Sequence, residues 1–238
     1  MAKKAEPKFK ITETRSGRMV NGAFKSFVEQ RLDKVTLPKS FDGVLVIPQE
    51  VTQIGAFVCK DKTEIKEVVL PENLKYLDVE VFAGCENLEK IILPESLLSL
   101  GESCFADCTS LTELRIPASV NALYGTDFIG LPSNVSVIID EANPYYKIEE
   151  GAVLSKDGKT FVRLLADVED YDVKEGVTCI GQAAFKGCQQ LKKVVLPASV
   201  EEVQMYVFER CPNLTNVVVK SDAIKNELKD TYSSINFE

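Results

Sequence analysis

Apolar side chains return along this chain in a fixed order every 23 residues. Around Pro94 they fall at Leu88, Ile91, Leu93, Leu97, Leu100, Cys104, Phe105, Cys108 and Leu111. Around Pro197 the same places hold Leu191, Val194, Leu196, Val200, Val203, Val207, Phe208, Cys211 and Leu214. With the proline as origin, the units stand at Pro48, Pro71, Pro94, Pro117, Asp140, Lys174, Pro197 and Lys220. Their spacing is 23 residues except between Asp140 and Lys174, where it is 34, so one unit carries an insertion of 11 residues. A period of this size marks stacked coils that share one interior.

Within a unit, the Val-x-Leu before the origin alternates with period two and predicts a short strand. Proline ends it, having no amide to donate to a ladder. The Val-x-x-Ile/Leu that follows predicts an extended segment, and Ala-Phe-x-x-Cys predicts one helical turn that packs Phe and Cys inward. The fold class is therefore a β-rich, α+β solenoid: a right-handed stack of 23-residue coils with short parallel strands, N- and C-terminal caps and one hairpin insertion. Asp127 and Asn134 fall at inward positions of the Pro117 unit and should loosen it.

The flanks follow other rules. Residues 1–18 are polar and aperiodic and read as a flexible basic arm. From Asn21, a candidate N-cap, Phe24, Phe27, Val28, Leu32 and Val35 follow helical spacing, so residues 19–47 read as a cap built on a stretched copy of the unit, with Leu32 to Pro38 as its strand signature. The solenoid proper spans 48–220. Its insertion, 141–173, contains an Asn143-Pro144 turn and a hairpin around a type I′ Asp157-Gly158 turn, expected to stand out from one edge as a lip. After it, 221–238 predict a short helix from Asp222 to Lys229 capped by Ser221, with Tyr232, Ile235 and Phe237 covering the last coil.

Residues two before each origin lie between inward ones and must point outward. They are Val46, Val69, Ile92, Arg115, Ile138, Asp172, Val195 and Val218, an aliphatic row with two interruptions. Strand propensity alone accounts for β-branched residues there; a partner surface accounts for them equally. Glu67, Lys90, Glu113, Ser136 and Lys193 border the row.

Charge and composition narrow the function. Residues 1–40 hold ten Lys/Arg against four Asp/Glu, and the remaining 198 hold 18 against 32, so a basic beginning precedes an acidic body. The arm is expected to fold back on that body or to grip an acidic partner, while nucleic acid is repelled. The chain has no histidine, which removes Ser-His-Asp triads, Cys-His pairs and His-bearing metal sites. Cys85, Cys108, Cys188 and Cys211 share one inward position, with Cys104 one turn before Cys108. Coils about 4.8 Å apart bring them within disulfide range. Parallel side chains do not meet at the required dihedral, so a packed ladder of free thiols is expected, with a thiolate metal site as the alternative. No stretch is apolar enough to span a membrane. Met1 to Lys4 are followed by no apolar signal segment, which favours the cytoplasm, or the cell surface or secretion if a leader has been removed.

The run Ile180-Gly181-Gln182-Ala183-Ala184-Phe185-Lys186-Gly187-Cys188, with Leu191, Val194, Leu196-Pro197 and Ser199-Val200, resembles the BspA-like class of leucine-rich repeats. The likeness covers about 42–220; Cys59 stands where Phe is usual and Lys62 where Cys is usual. The resemblance implies a bacterial binding solenoid without catalytic residues or cofactors. Its expected activity is protein–protein interaction through the repeat sheet face (Val46, Val69, Ile92, Arg115, Ile138, Val195, Val218, Glu67, Lys90, Glu113 and Lys193) and the hairpin lip, with a protein partner and no metal. The alternatives are a surface adhesin for host matrix or glycan, for which Tyr145-Tyr146 is the one tight aromatic pair, and a structural subunit of a larger assembly.

Overall fold

A computed structural model describes residues 5–20 and 23–238. The chain opens with an antiparallel pair, β1 (Lys8–Val20) and β2 (Ala23–Thr36). Each coil then lays down one strand before its origin and another after it: β3 (Val44–Val46) and β4 (Gln53–Ile54), β5 (Glu67–Val69) and β6 (Tyr76–Leu77), β7 (Lys90–Ile91) and β8 (Ser99–Leu100). β9 (Glu113–Ile116) is followed instead by a 3-10 turn, Gly125–Phe128, and then by β10 (Ser136–Ile139). The insertion supplies β11 (Tyr146–Glu149), β12 (Ala152–Ser155) and β13 (Thr160–Leu164). The coils resume with β14 (Asp170–Asp172), β15 (Cys179–Ile180), β16 (Lys193–Leu196), β17 (Glu202–Val203) and β18 (Asn216–Val219), and the chain ends with α1 (Asp222–Thr231) and β19 (Asn236–Phe237).

The strands stack in parallel with equivalent positions in register, as Leu45 with Val68 and Ile54 with Leu77. The 23-residue period is thus a spatial period, and the chain is a parallel-strand solenoid. Its Phe row is continuous within each part: Phe82 and Phe105 stack with ring centroids 5.8 Å apart, and Phe185 and Phe208 at 5.5 Å. Gly101 shows how tightly coils approach, since a Cβ there would lie 2.3 Å from the backbone carbon of Asp78.

The third side of each coil differs from the helical turn that Ala-Phe-x-x-Cys predicts. In the first three coils two residues each are left-handed, nine and thirteen places after the origin: Phe57 (φ 63°) and Asp61 (56°), Glu80 (52°) and Gly84 (71°), Ser103 (60°) and Asp107 (59°). These reversals turn alternate amides outward. Phe57, Cys59 and Asp61 donate to Val79, Val81 and Ala83 of the next coil at 3.1, 3.0 and 2.8 Å, while Lys60 and Lys62 donate within the turn. A helix keeps every amide along its own axis; here half of them bind the neighbouring coil.

The N-terminal expectations are corrected. Residues 8–20 form β1 and pair with β2, so the polar arm is strand rather than flexible coil, and it folds back in cis. The helical spacing belongs to a strand with a bulge. Lys10 pairs with Lys34 but Ile11 with Leu32, so Asp33 is the extra residue, and Leu32 and Val35 both face the core despite lying three apart. Asn21 lies outside the described residues. Leu32 pairs with Ile54, which places β2 beside the strands after the origin rather than those before it.

The hairpin is corrected as well. Rather than standing out, β12 and β13 are buried along almost their whole length. β13 pairs in parallel with β15, and Phe161 stacks on Phe185 at 4.9 Å, filling the place a coil's own Phe would take. Of the turn residues only Gly158 has positive φ (74°), so the connection is not type I′, which needs two. Val153 and Val162 pack into the core of the earlier coils, and Ala152, Leu154, Phe161 and Leu164 into that of the later ones. At the C-terminus, α1 buries Ile224 and Leu228 and β19 pairs with β18, closing one strand stack.

Candidate binding face

The outward row forms as the alternation requires, with Leu45 buried between exposed Val44 and Val46. Val46 aligns with Val69, Arg115 with Ile138, and Asp172 with Val195 and Val218. Exposure separates its two halves: Val46, Val69 and Ile92 are 53%, 39% and 68% exposed, whereas Ile138, Val195 and Val218 are half-buried. Ile138 sits in a cleft with Ile148, Lys147 and Lys156, side chains that the insertion brings beside β10. The exposed aliphatic surface is therefore concentrated on the first three coils. Arg115 interrupts it and Asp172 interrupts its continuation.

The borders carry exposed ion pairs. Lys90 meets Glu67 at 2.8 Å, and Arg115 lies 3.9 Å from Glu113. Ser136 and Lys193 are exposed, with Lys193 aligned to Asp170 and Asn216. Solvent screens such pairs, so they orient a partner more than they stabilise the fold. Tyr145 and Tyr146 do not form a stacking platform, because the Tyr146 hydroxyl turns inward to accept from the Leu123 amide at 3.1 Å. A second exposed apolar group, absent from the sequence expectations, lies on the turn edge: Phe57 beneath Lys60, and Tyr206 beneath Lys186 with their cations 5.6 and 5.2 Å from the rings. Both occupy the left-handed position nine after the origin, which hydropathy periodicity does not detect.

The interior chemistry is concentrated where the period breaks. Asp127 is fully buried and accepts from the amides of Cys104 (3.0 Å) and Tyr124 (2.8 Å), and Thr126 Oγ1 accepts from Ser103 (3.2 Å). Side chains thus replace the carbonyls that other coils offer, so this coil is irregular but held. Burial pushes the Asp127 carboxyl up to about 7. Asn134, expected inward, is exposed. Asn143 is buried and fully used: its Nδ2 donates to Pro117 and Val120 carbonyls at 3.0 Å each, and its Oδ1 accepts from the amides of Tyr145 and Tyr146. Arg163, the buried cation of the hairpin, donates from Nη1 to Ala183 (2.9 Å) and Lys186 (2.6 Å).

All seven cysteines are free. Cys85 and Cys108 point Sγ at carbonyls of the preceding coil, Cys59 and Phe82, at 3.1 and 3.2 Å. Burial pushes the Cys85 thiol up to about 12 and Cys188 up to about 11, away from the reactive thiolate. Among the described residues no group of three or more Cys, Asp or Glu is arranged to hold a metal ion, and no helix is long and apolar enough to cross a membrane.

The family model for the BspA type leucine rich repeat region matches six copies, over residues 25–150 and 159–236. The chain belongs to the BspA-type leucine-rich repeat family. Proteins built of these repeats are typically non-catalytic scaffolds. Among solved structures, a leucine-rich repeat protein from Eubacterium ventriosum is similar with a TM-score of 0.60 at 12% identity, covering 92% of this chain and 73% of its own. A leucine rich cell surface protein from Faecalibacterium prausnitzii matches with a TM-score of 0.49 at 18% identity, covering 90% of this chain and 76% of its own. At these identities the likeness concerns the fold. No functionally curated protein matches the chain.

Proposed function

We propose that this BspA-type repeat chain is a non-catalytic protein-binding module whose partner seats on the outward row of the first three coils. The observation that carries the proposal is the exposure of Val46, Val69 and Ile92 along one face, with Val46 aligned to Val69 on neighbouring parallel strands and Ile92 directly after β7, bordered by the Glu67–Lys90 pair. Soluble chains rarely leave contiguous aliphatic surface in water without a use for it. Because β5 pairs with β3 on one side and β7 on the other, the face is preformed and little ordering cost falls on the receptor when a partner arrives. The later positions Ile138, Val195 and Val218 contribute less, being half-buried, and the hairpin, packed inside the stack, is not part of the surface.

The test uses the full chain as bait in native lysate, with capture read by mass spectrometry. Ile92→Asp should abolish capture of the partner retained by the unchanged chain and leave the thermal midpoint within a degree or two, since the side chain is exposed. Val195→Asp should weaken it less. Capture that survives Ile92→Asp overturns the proposal.

A further inference from the structure

The two ends of the stack are finished differently. In the row of strands that follow the origin, β2 closes the N-terminal end beside β4, whereas the last member, β17, has β15 on one side and no strand on the other. β19 closes the other row and α1 buries Ile224 and Leu228, but neither pairs with β17. The preceding junction shows what is missing. Glu201 and Glu202 donate to the Thr178 carbonyl and Gln204 to Ile180, at 2.8, 3.1 and 2.9 Å, while Ala183 and Gly187 donate to Met205 and Glu209 at 3.0 and 2.9 Å. One period on, among the described residues, the carbonyls of Glu201 and Val203 receive no donor and the amides of Tyr206 and Arg210 reach no acceptor. Between this edge and the cap lies a cleft of about 840 Å³, with Met205 and Tyr206 on one wall and Leu228 and Tyr232 on the other. That volume is in the usual range for ligand clefts. Its charged lining is two carboxylates, Glu209 and Glu227, and one cation, Arg210.

Strands from outside the repeats already enter this row twice. β2 lies parallel to β4, with Arg31 beside Gln53 and Leu32 beside Ile54, and β13 lies parallel to β15, with Thr160 beside Cys179 and Phe161 beside Ile180. Each brings an outward polar side chain followed by an inward apolar one. A strand added to β17 in the same register sets its outward residue beside Glu202 and its inward one beside Val203. Glu201 and Glu202 are exposed and, among the described residues, neither has a basic partner. A cation on the incoming strand supplies it. Two copies meeting edge to edge at β17 would bring the same carboxylates together, which disfavours that pairing.

We infer that the C-terminal end of the stack takes an extended segment of a partner polypeptide as one further parallel strand beside β17, with a basic side chain at Glu202 and an aliphatic one over Val203. The site lies at the opposite end from the outward row of the first three coils, so either can fail without the other. The test is calorimetric titration of the full chain, to millimolar concentration, with acetyl-Val-Thr-Lys-Ile-Gly-Gln-amide, which copies residues 177–182 with Lys in place of Cys179. The same peptide with Glu for Lys, and the same peptide N-methylated at the glycine amide that meets the Val203 carbonyl, should each bind about tenfold more weakly. Glu202→Lys, a change at an exposed residue, should leave the thermal midpoint unchanged and invert the preference, so that the Glu peptide binds more tightly than the Lys peptide. The inference is overturned by no binding at millimolar peptide, by equal binding of the N-methylated peptide, by equal binding of the Lys and Glu peptides, or by a preference that Glu202→Lys leaves in place. Self-association in sedimentation that Glu202→Lys abolishes would also overturn it, by assigning the edge to a second copy of the chain.

Discussion

The coils before the insertion and those after it solve the same packing problem with different materials. From Pro48 to Pro117 each coil receives its neighbours from consecutive repeats: Phe82 stacks on Phe105, turn amides meet turn carbonyls, and Cys59, Cys85, Cys104 and Cys108 are fully buried. The Lys174 coil has no regular repeat before it in the chain. Phe161 takes the aromatic place, the Leu164 amide donates to Ala184 at 2.9 Å, and the Arg163 guanidinium replaces a further amide at Lys186. Gly125 passes so close that a Cβ would lie 2.4 Å from the Gln182 carbonyl oxygen. A solenoid thus requires apolar rows and donors at set places, and a hairpin can supply them as well as a repeat can.

The comparison is broken most directly at Phe161. Phe161→Ala should cost about 3–5 kcal/mol, the same range as Phe105→Ala, because both rings are fully buried in the stack. Urea unfolding of the two variants decides the matter; a cost under about 1 kcal/mol for Phe161→Ala would return the hairpin to the role of an external lip.

The pH dependence of stability sharpens it next. Asp127 closes the earlier block, and its carboxyl is raised from an ordinary 3.8 to about 7. Between those values the folded state holds more protons than the unfolded one, so this group's stabilising contribution is full below about 4 and is lost as pH rises through about 7. The effect amounts to a few kcal/mol at most and should disappear in Asp127→Asn. Glu149 on the insertion, held down to about 2 by Lys147 of the insertion and Lys174 of the following coil, acts with the opposite sign: its contribution is present above its ordinary 4.5 and lost as pH falls toward 2. Thermal midpoints from pH 3 to pH 8 for the unchanged chain and Asp127→Asn check both limbs.

A smaller difference concerns the thiols. Cys108→Ala should cost about 1 kcal/mol, since its Sγ is buried and bonded to the Phe82 carbonyl. Cys188 and Cys211, half-buried, should cost less, and Cys179, the thiol least shielded by burial, should be alkylated in the native state while Cys59, Cys85, Cys104 and Cys108 react only on unfolding. Peptide mapping after brief iodoacetamide treatment reads this directly. Smallest of all, Lys90→Ala and Lys192→Ala, which remove exposed pairs with Glu67 and Glu169, should each change stability by under about 0.5 kcal/mol.

What could be foreseen followed the period. The buried row, the Phe stack, the thiol positions and the outward alternation were legible because each repeats in register and burial is periodic. Five things were not. The bulge at Asp33 shifts the alternation and imitates helical spacing. The left-handed residues nine and thirteen places after the origin are as varied as Phe57, Glu80, Ser103 and Tyr206, so backbone conformation leaves no signature in hydropathy. The hairpin's short apolar runs, Ala152 to Leu154 and Phe161-Val162, are separated by polar Ser155 to Thr160, and such runs distinguish a fully buried strand from an exposed one only if each face has a neighbour to cover it. Asn143 and Arg163 each tie several backbone groups at the seam, but each occurs once, and a residue that occurs once has no periodic signal. The row's exposure was also uneven in a way that only the packing of Ile148 and Lys156 beside Ile138 discloses.

Arrays of repeats commonly melt by fraying, one unit at a time, because each touches only the next. Here Val153 and Val162 belong to one core while Leu154 and Phe161 belong to the other. Neither block can come apart without stripping one side of that shared layer and uncovering its aliphatic groups to water. The discontinuity that looks like the weak joint of the molecule therefore welds its two ends into a single cooperative unit, and heat should undo the chain in one transition rather than two.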